Sequence, residues 1–375
     1  MNILFISHYS NLYGANRSLI DLIDGLREYN VNPFVVIPNE GKITNLLQAR
    51  NVPYEIVSVP SWVSGAPISN FRKRRTLIKL VKAVPYYRKI IKEYSIDIVY
   101  TNSSVTPIGR LVALLTGKPH IWHIREMLEL HYNKDFVFPK WFSMQLISTS
   151  KAIICNSVAV QEHHFKQKKK KIHIIYNGIA SVKEFEKYKN SNQKKISSQE
   201  KTFAIVGVIH PNKGQDKAIK AIADLKERGL NAELMIVGGG NVEYKNHCED
   251  LVKKLNIKNR VKFTGYKSDP YEIFLNSFCL LVCSEFEAMG RVTVEGMSAC
   301  LPIIAKNSGG TPEIILHGVT GFLYDTHDEL VNYMEKFIKD PNLAKEMGLR
   351  GWEYAKERFT IEKYAKDIFK IISSI

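Results

Sequence analysis

The chain has 375 residues, 45% of them hydrophobic and 24% charged, which fits a globular protein of two domains rather than one core. No run of about 18 apolar residues occurs, and the N-terminus lacks a basic leader, so the sequence predicts neither a transmembrane helix nor a signal peptide. The net charge of +16 favours an anionic partner, which is nucleic acid, a membrane or a phosphorylated substrate.

Strand-like apolar runs alternate with helical patterns in two series. Apolar strands separated by helices indicate parallel sheets that are buried on both faces. The sequence therefore predicts an α/β fold of two doubly wound domains. Helices are expected at 14–29, near 214–228 and near 243–255. The strand-like runs are 2–7, 32–38, 96–102, 119–124, 151–157 and 171–178, then 202–208, 232–240, 261–266, 278–284, 301–307 and 321–325.

A polar, charged stretch separates the two series. We predict an N-terminal domain at 1–182, a linker at 183–201 and a C-terminal domain at 202–355. A helix is predicted at 356–375, and one possibility is that it packs back against the N-terminal domain. Ligands of such sheets bind at the carboxyl ends of the strands, which places them in the cleft of a two-domain version.

The cysteines Cys155, Cys248, Cys279, Cys283 and Cys300 show no paired spacing. We interpret them as packed, reduced thiols. A cytoplasmic location fits this interpretation.

The stretch EAMGRVTVE at 287–295 places two carboxylates eight positions apart, directly after a buried strand. Gly290 allows another group to approach the backbone, and a helix is predicted to begin near Arg291 with Glu295 on its first turns. A helix N-terminus attracts anions, so a phosphate at 290–293 would have a carboxylate on each side. A nucleoside diphosphate sugar has this shape. The alternative is a solvated Glu295 and a capping Glu287.

The stretch EAMGRVTVEGMSACLPIIAKNSGGTPEIILHGVTGFLYD resembles the donor-site signature of family 4 glycosyltransferases, the retaining group 1 enzymes of GT-B fold. The rest of the chain has further motifs in the family's order. The resemblance implies two Rossmann-like domains facing a central cleft, with the acceptor on the N-terminal domain and the nucleotide sugar on the C-terminal one. The supporting motifs are GANRSL (14–19), HIWHIRE (120–126), IIYNGI (174–179), IVGVIHPNKGQDKAI (205–219), MIVGGG (235–240) and VKFTGY (261–266).

The resemblance also implies roles for single residues. Glu295 would bind the ribose hydroxyls, and Glu287 would bind the donor sugar near the reacting carbon. Lys213 would neutralise the diphosphate leaving group, where a cation stabilises charge that develops in the transition state. A solvated turn lysine is the alternative. The other donor-site positions implied by the family are Gly14, Gly207, Ala288, Met289, Gly290, Arg291 and Val292.

One position has an alternative role in the core, and two depart from the family's pattern. His123 resembles the histidine near the reacting sugar and acceptor, but a core histidine is the alternative. Tyr13 replaces the first glycine of the family's usual pair. Val208 stands where the family often has arginine, which leaves the cation pair on the diphosphate incomplete. The sequence leaves open whether Arg291, Lys217 or Lys306 compensates.

No Asp-x-Asp motif follows a strand, and His120 with His123 is a weak metal spacing. We therefore expect transfer without a metal or another cofactor, with cations and helix amides replacing a divalent ion. Retention by front-face attack is implied by the family alone.

The segment 71–94 is strongly basic and predicts an amphipathic helix, kinked at Pro85. Its first turn carries Arg72, Lys73, Arg74 and Arg75, and 165–173 adds further charge. Such a helix fits an anionic membrane surface and a lipid-linked acceptor, which would make the protein peripheral on the cytoplasmic face. A solvated face is the alternative. No nucleic-acid motif is recognised, so nucleic acid is not expected as a partner.

The favoured function is a glycosyltransferase that uses a nucleotide sugar, with a UDP-sugar preferred, to build a bacterial surface polysaccharide or glycolipid. A glycan phosphorylase would need a lysine-bound pyridoxal phosphate and a longer chain. The alternatives are a nucleotide-sugar epimerase of the same fold and a non-catalytic sugar-binding module. The presence of Glu287 and Lys213 favours a catalyst.

Overall fold

The computed structural model describes residues 1–65, 68–132, 134–165, 170–192, 201–267 and 269–375. The described chain forms two compact units. The first unit comprises Met1–Gly178 and Ile361–Ile375, and the second comprises Ile179–Thr360.

The first unit contains a seven-stranded sheet and a small two-stranded one. Its strands are β1 (Asn2–Ile6), β2 (Asn32–Ile37), β3 (Tyr54–Ile56), β4 (Val63–Ser64), β5 (Ile98–Thr101), β6 (His120–Ile124), β7 (Asp135–Phe136), β8 (Ala152–Cys155) and β9 (Ile172–Ile174). Its helices are α1 (Gly14–Leu26), α2 (Lys42–Ala49), α3 (Asn70–Glu93), α4 (Ile108–Thr116), α5 (Leu128–Tyr132), α6 (Lys140–Ser148) and α7 (Val158–His164).

The large sheet is parallel, with the order β3-β2-β1-β5-β6-β8-β9. Alternate residues of β1 point to opposite faces, so each face has its own core. Ile3 and Phe5 pack in the cluster that includes residues of α1, whereas Leu4 and Ile6 pack with residues of α3 and α4. The strand order reverses between β1 and β5, which is the switch point where ligands of such sheets bind.

The second unit contains a six-stranded sheet. Its strands are β10 (Thr202–Val206), β11 (Glu233–Val237), β12 (Val261–Gly265), β13 (Cys279–Val282), β14 (Ile303–Lys306) and β15 (Phe322–Tyr324). Its helices are α8 (Val182–Asn192), α9 (Gln215–Glu227), α10 (Val242–Lys254), α11 (Tyr271–Leu275), α12 (Arg291–Ser298), α13 (His327–Lys339) and α14 (Pro341–Arg358).

This sheet is also parallel, with the order β12-β11-β10-β13-β14-β15. Its switch point therefore lies between β10 and β13. One core cluster joins Phe203 and Ile205 of β10 to Ile219 and Ile222 of α9. The predicted α/β class, with parallel sheets in two doubly wound units, is confirmed.

The segment 183–201 was predicted as a linker, but the part of it that the structure describes is mostly helical. Residues Val182–Asn192 form α8, while 193–200 lie outside the described residues. Ser181 and Glu184 form a reciprocal cap: Ser181 Oγ accepts from the Glu184 N–H at 3.2 Å, and Glu184 Oε2 accepts from the Ser181 N–H at 2.7 Å. Phe185 anchors the helix because it is fully buried, and its carbonyl accepts from Trp352 Nε1 at 2.9 Å.

The helix predicted over 356–375 is interrupted. The helix α14 ends at Arg358 in the second unit, and α15 (Ile361–Ile372) begins after Phe359 and Thr360. In the first unit, Tyr364, Ala365 and Ile368 of α15 join the same core cluster as α1. The chain therefore returns to its first unit through α15 alone.

Candidate active site

Two loops meet at the switch point of the second unit. One follows β10 over 207–214 and leads into α9, and the other follows β13 over 283–290 and leads into α12. The N–H of Glu285 donates to the carbonyl of Asn212 at 3.0 Å, which ties the loops together. Both loops lie at the carboxyl edge of the sheet, the usual binding edge of an open parallel sheet.

These loops bring Lys213 and Glu287 into contact. Lys213 ends a short 3₁₀ turn, and its Nζ donates a hydrogen bond to Oε1 of Glu287. The lysine side chain is 34% exposed and the glutamate side chain 13%, so the pair lies at the protein surface. An ion pair in this position can exchange its partners for those of a charged ligand.

The helix α12 begins beside this pair. Gly290 is its N-cap with φ of +80°, a left-handed conformation that glycine adopts without a Cβ clash. Gly290 also has no side chain with which to cap the helix. Ala288 and Met289 are buried, while Val292 is half-buried. The positive end of the helix dipole therefore lies next to Glu287 and Lys213.

A second turn holds the Glu287 loop in place. The N–H of Gly310 donates to the carbonyl of Glu287 at 2.7 Å. Gly309 has φ of +57°, and a Cβ atom there would collide with the Glu287 backbone. The two glycines of the Gly-Gly-x-Pro-Glu turn thus position the carboxylate loop by close backbone packing.

Glu295 lies on the second turn of α12. Its Oε1 is 3.6 Å from Nε of Arg291, and both side chains are mostly buried. The ring of Tyr271 on α11 stacks on that of Tyr188 on α8, with centroids 3.5 Å apart. Burial, and then the charge of Glu295, raises the pKa of Tyr271 well above its usual range. The structure thus adds two tyrosines to the surroundings of Glu295.

The three cations considered as substitutes for an arginine at position 208 differ in their contacts. Lys217 forms an ion pair with Glu285 in the same loop as Glu287, and Arg291 is close to Glu295. Lys306 instead donates to the carbonyl of Asp325 at 2.6 Å. Lys217 therefore contacts a carboxylate of the switch-point loop after β13, and Arg291 contacts one on the helix that this loop leads into. Gly207 begins the first of the two switch-point loops, and its N–H donates to the carbonyl of Val237 at 2.9 Å.

The remaining predicted residues lie in the first unit. Gly14 is the first residue of α1, at the carboxyl end of β1 and next to the exposed Tyr13. The charged residues from Arg72 to Arg75 lie on the first turns of α3, where Ser69 Oγ accepts from the N–H of Arg72 at 3.2 Å.

His123 has no exposed surface, contrary to the expectation of a substrate contact. It lies inside β6, with its Nδ1 2.6 Å from the hydroxyl of Tyr100. Burial, and then the nearby Arg125, lowers the pKa of His123 well below its usual range, so the ring is neutral at pH 7. In this conformation the side chain cannot touch a substrate, and the geometry supports the alternative of a core histidine.

Comparisons with known proteins agree with this geometry. The family model "Glycosyl transferases group 1" matches residues 186–354, and the model "Glycosyltransferase Family 4" matches residues 13–181. Together the two models account for both units.

The chain belongs to the group 1 glycosyltransferases. Uncharacterized glycosyltransferase MJ1178 of Methanocaldococcus jannaschii is 28% identical, over 92% of this chain and 97% of that protein. The Escherichia coli UDP-Gal:alpha-D-GlcNAc-diphosphoundecaprenol alpha-1,3-galactosyltransferase is 26% identical, over 86% of each chain. The crystal structure of Anabaena Alr3699/HepE in complex with UDP and glucose superposes with a TM-score of 0.81 at 22% identity, covering 100% of both chains. The fold is of the GT-B type.

Two charged residues of this glycosyltransferase, Arg125 and Glu126, follow β6 directly and were not predicted as site residues from the sequence. The guanidinium of Arg125 donates to Asn102 at 2.8 Å, to Asn177, and to the hydroxyl of Tyr364 on α15 at 2.8 Å. Glu126 accepts from the N–H of Ser104 at 2.6 Å and from two serine hydroxyls. Burial raises the pKa of Glu126 while these hydrogen bonds oppose the rise. Their position directly after a buried strand was the signal in the sequence that could have identified them.

The described residues also bear on metal binding and on membrane insertion. Within the described ranges, no three His, Cys, Asp or Glu side chains are grouped closely enough to bind a metal ion. Of the helices that the structure describes, none combines the length and the hydrophobicity needed to span a bilayer.

Proposed function

We propose that this glycosyltransferase moves a sugar from a UDP-sugar to a glycan or lipid-linked acceptor during synthesis of a bacterial surface polysaccharide or glycolipid. The observation that carries the proposal is the contact of Lys213 with Glu287 at the switch point of the second unit, beside the start of α12. In this proposal the second unit binds the nucleotide sugar and the first binds the acceptor.

The diphosphate would lie at the N-terminus of α12, along the backbone of 288–292 and near Gly207. Binding would move Lys213 from the carboxylate of Glu287 to the leaving phosphate, where its charge stabilises the transition state. The freed carboxylate of Glu287 would accept hydrogen bonds from the donor sugar, and Glu295 would accept them from the ribose. Each charge of the Lys213–Glu287 pair would thus gain a partner on the ligand.

The choice of UDP rests on proteins that this chain resembles. HepE was crystallised with UDP, and the E. coli relative is named for a UDP-galactose donor. The second name also specifies a diphosphoundecaprenol acceptor, which is a lipid. The two proteins support a UDP-sugar here, and the name of the E. coli relative supports a lipid-linked acceptor.

We further propose that transfer retains the anomeric configuration and needs no metal. Lys213 and the α12 dipole would supply the positive charge that a divalent ion supplies elsewhere. Lys217, which pairs with Glu285, and Arg291, which lies beside Glu295, are the two cations that would replace an arginine at position 208. Retention itself would follow from attack on the face from which UDP departs.

A lipid-linked acceptor would place the protein at the cytoplasmic face of a membrane. The four cationic residues from Arg72 to Arg75 occur in succession, and all but Lys73 are exposed. Each Lys or Arg near an anionic surface contributes about 1 kcal/mol, so several together support reversible attachment. No nucleic-acid partner is part of this proposal.

The test is a binding and hydrolysis panel of UDP-, GDP-, ADP- and dTDP-sugars, with and without EDTA. We expect the largest thermal shift and slow acceptor-independent hydrolysis with one UDP-sugar, both unchanged by EDTA. Because the proposed mechanism retains configuration, NMR of the early product should show the donor's anomer. Binding without hydrolysis or transfer would favour the sugar-binding module, and interconversion of two UDP-sugars would favour the epimerase.

A further inference from the structure

The basic helix α3 does not offer the apolar face that its sequence suggests. The apolar residues at the centre of its pattern pack into the first unit, including Leu80, Tyr87 and Ile91. Attachment to a membrane must therefore depend on side chains that remain outside.

The outward face of α3 combines apolar and cationic residues. Arg74, Ile78 and Val81 follow the spacing i, i+4 and i+7, so they share one face, and all three are exposed. Phe71 is exposed at the start of the helix. Solvated helix faces seldom carry this many large apolar side chains, whereas helices that lie in a lipid interface do.

The start of α6 carries two more exposed aromatic residues. Trp141 is 74% exposed and Phe142 is 44% exposed, with ring centroids 6.0 Å apart. The ring of Phe142 also lies 6.1 Å from that of Phe138, which packs against the core cluster shared by α3 and α4. A tryptophan on the surface beside cationic residues is typical of proteins at membrane interfaces.

The starts of α3 and α6 lie at the same edge of the large sheet. Between parallel strands, a crossover helix begins at the carboxyl edge where the preceding strand ends, and α3 lies between β3 and β5 in the chain while α6 lies between β6 and β8. The small sheet links the segments that precede the two helices, because β4 and β7 pair antiparallel through Val63 and Phe136. The N–H of Val137 also donates to the carbonyl of Trp62 at 2.6 Å. Since α6 follows β6 along the chain, this edge is the carboxyl edge of the large sheet.

We define the aromatic edge as Phe71, Trp141 and Phe142, and the cationic turn as residues 72–75. We propose that the aromatic edge inserts into an anionic bilayer surface while the cationic turn contacts the lipid headgroups. The charge of the cationic turn and the net charge of +16 complement such a surface. This docking rests on the proposed function, because it turns the carboxyl edge of the first sheet toward a lipid-linked acceptor.

Tryptophan fluorescence offers a direct test with the full chain. Trp62, Trp122 and Trp352 are at most 5% exposed, so Trp141 is the tryptophan whose emission should respond to lipid. Vesicles of phosphatidylglycerol and phosphatidylcholine should shift the emission to the blue, and brominated lipid should quench it. Trp141→Phe should abolish both signals while the protein still co-sediments with the vesicles.

A matched pair of variants tests whether the aromatic edge supplies affinity. Trp141→Ala with Phe142→Ala should weaken co-sedimentation roughly tenfold or more, since each inserted ring transfers a large apolar area out of water. Leu115→Ala removes an exposed apolar side chain at the other end of the helix layer, at the C-terminal end of α4, and should change binding less than about twofold. UDP binding by each variant serves as the control for folding.

Three results would overturn the docking. One is equal binding to anionic and neutral vesicles at low salt. Another is co-sedimentation without any change in Trp141 emission. The third is a blue shift that depends on protein concentration without lipid and accompanies a dimer in light scattering, which would assign the aromatic edge to a second copy of the chain. Vesicle binding by a protein that neither binds nor hydrolyses a UDP-sugar would instead refute the proposed function and leave the docking intact.

Discussion

The two units have the same sheet order up to the sixth strand, but the carboxyl ends of their central strands carry different chemistry. In the second unit, Lys213 and Glu287 form a partly exposed ion pair on two adjoining loops. In the first unit, His123, Arg125 and Glu126 form a buried network with neighbouring polar groups. The shared topology provides a binding edge, and the residues in the loops decide whether its charges can meet a ligand or hold the unit together.

The largest expected difference concerns one arginine in each unit. Arg125→Ala would leave three buried hydrogen-bond acceptors without their donor, at ~1–3 kcal/mol each, so we expect the first unit to lose about 3 kcal/mol or more of unfolding free energy. Arg228 on the second unit pairs with Glu335 at 2.6 Å on the surface, and Arg228→Ala should cost less than about 1 kcal/mol. Urea unfolding of both variants measures this contrast. Equal losses would mean that Arg125 is not a structural anchor.

Lys213→Ala should lower turnover by about 10²–10³-fold, because the leaving diphosphate loses a preorganised cation. Lys220→Ala is the matched control, since Lys220 is a lysine of α9 that lies 3.5 Å from Asp216. Steady-state kinetics with a saturating donor checks both. If Lys213→Ala is as active as the control, Lys217 or Arg291 carries the leaving-group charge.

Acid should destabilise the first unit at a higher pH than the second. Burial lowers the pKa of His120 and His123 well below 6.5 in the folded state, so only the unfolded chain takes up these protons near pH 6.5. Their contribution is complete well above pH 6.5 and is lost as the pH falls, with a slope that approaches about 1.4 kcal/mol per histidine per pH unit. Because the unfolded histidines are already half protonated at pH 6.5, we expect the two to cost about 2 kcal/mol of unfolding free energy between pH 6.5 and 5.5.

The second unit provides the contrast to this acid effect. Hydrogen bonds from Lys339 and Arg228 lower the pKa of Glu335. The contribution of Glu335 to the stability of the second unit is therefore lost only as the pH falls below 4.5. Unfolding of a Trp352→Phe variant reports on the first unit alone, because the other three tryptophans lie there. A flat stability between pH 6.5 and 5.5 would contradict the buried, neutral histidines.

Glu295→Ala should weaken UDP binding by ~1.5–3 kcal/mol, the value of a hydrogen bond to a charged group. Glu249→Ala is the control, because Glu249 is a glutamate of α10 in the same unit, 3.1 Å from Lys245. Calorimetric titration with UDP measures the difference. Unchanged UDP affinity in a folded Glu295→Ala protein would contradict the proposed contact between Glu295 and the ribose.

Sequence reasoning succeeded where the signal was local. Long apolar runs predicted the parallel strands, and the glycines and charged residues between them located the loops of Lys213 and Glu287. The same reasoning failed where distant contacts decide. Tyr188 and Tyr271 are far apart in the chain, and only packing brings their rings together.

Three differences between the expectations from sequence and the structure had a readable signal. Ser181 and Glu184 form a helix-capping signature at the start of the segment taken as a linker. His123 lies inside a strand of a parallel sheet, where both faces are buried, whereas Arg125 and Glu126 follow that strand. In α3, the apolar residues that face the core were interpreted as part of a membrane-binding face. Helical periodicity reveals an apolar stripe but does not say whether protein or lipid covers it.

The central claim is that the switch point of the second unit binds the nucleotide, and hydrogen–deuterium exchange of the full chain with and without UDP tests it most directly. Saturating UDP should protect the amides of 207–214 and 287–295, and Lys213→Ala should reduce this protection at the same UDP concentration. Peptides that cover α10 and α13, on the same unit, should exchange at the same rate in both conditions. Protection confined to other segments, with none at 287–295, would contradict the account.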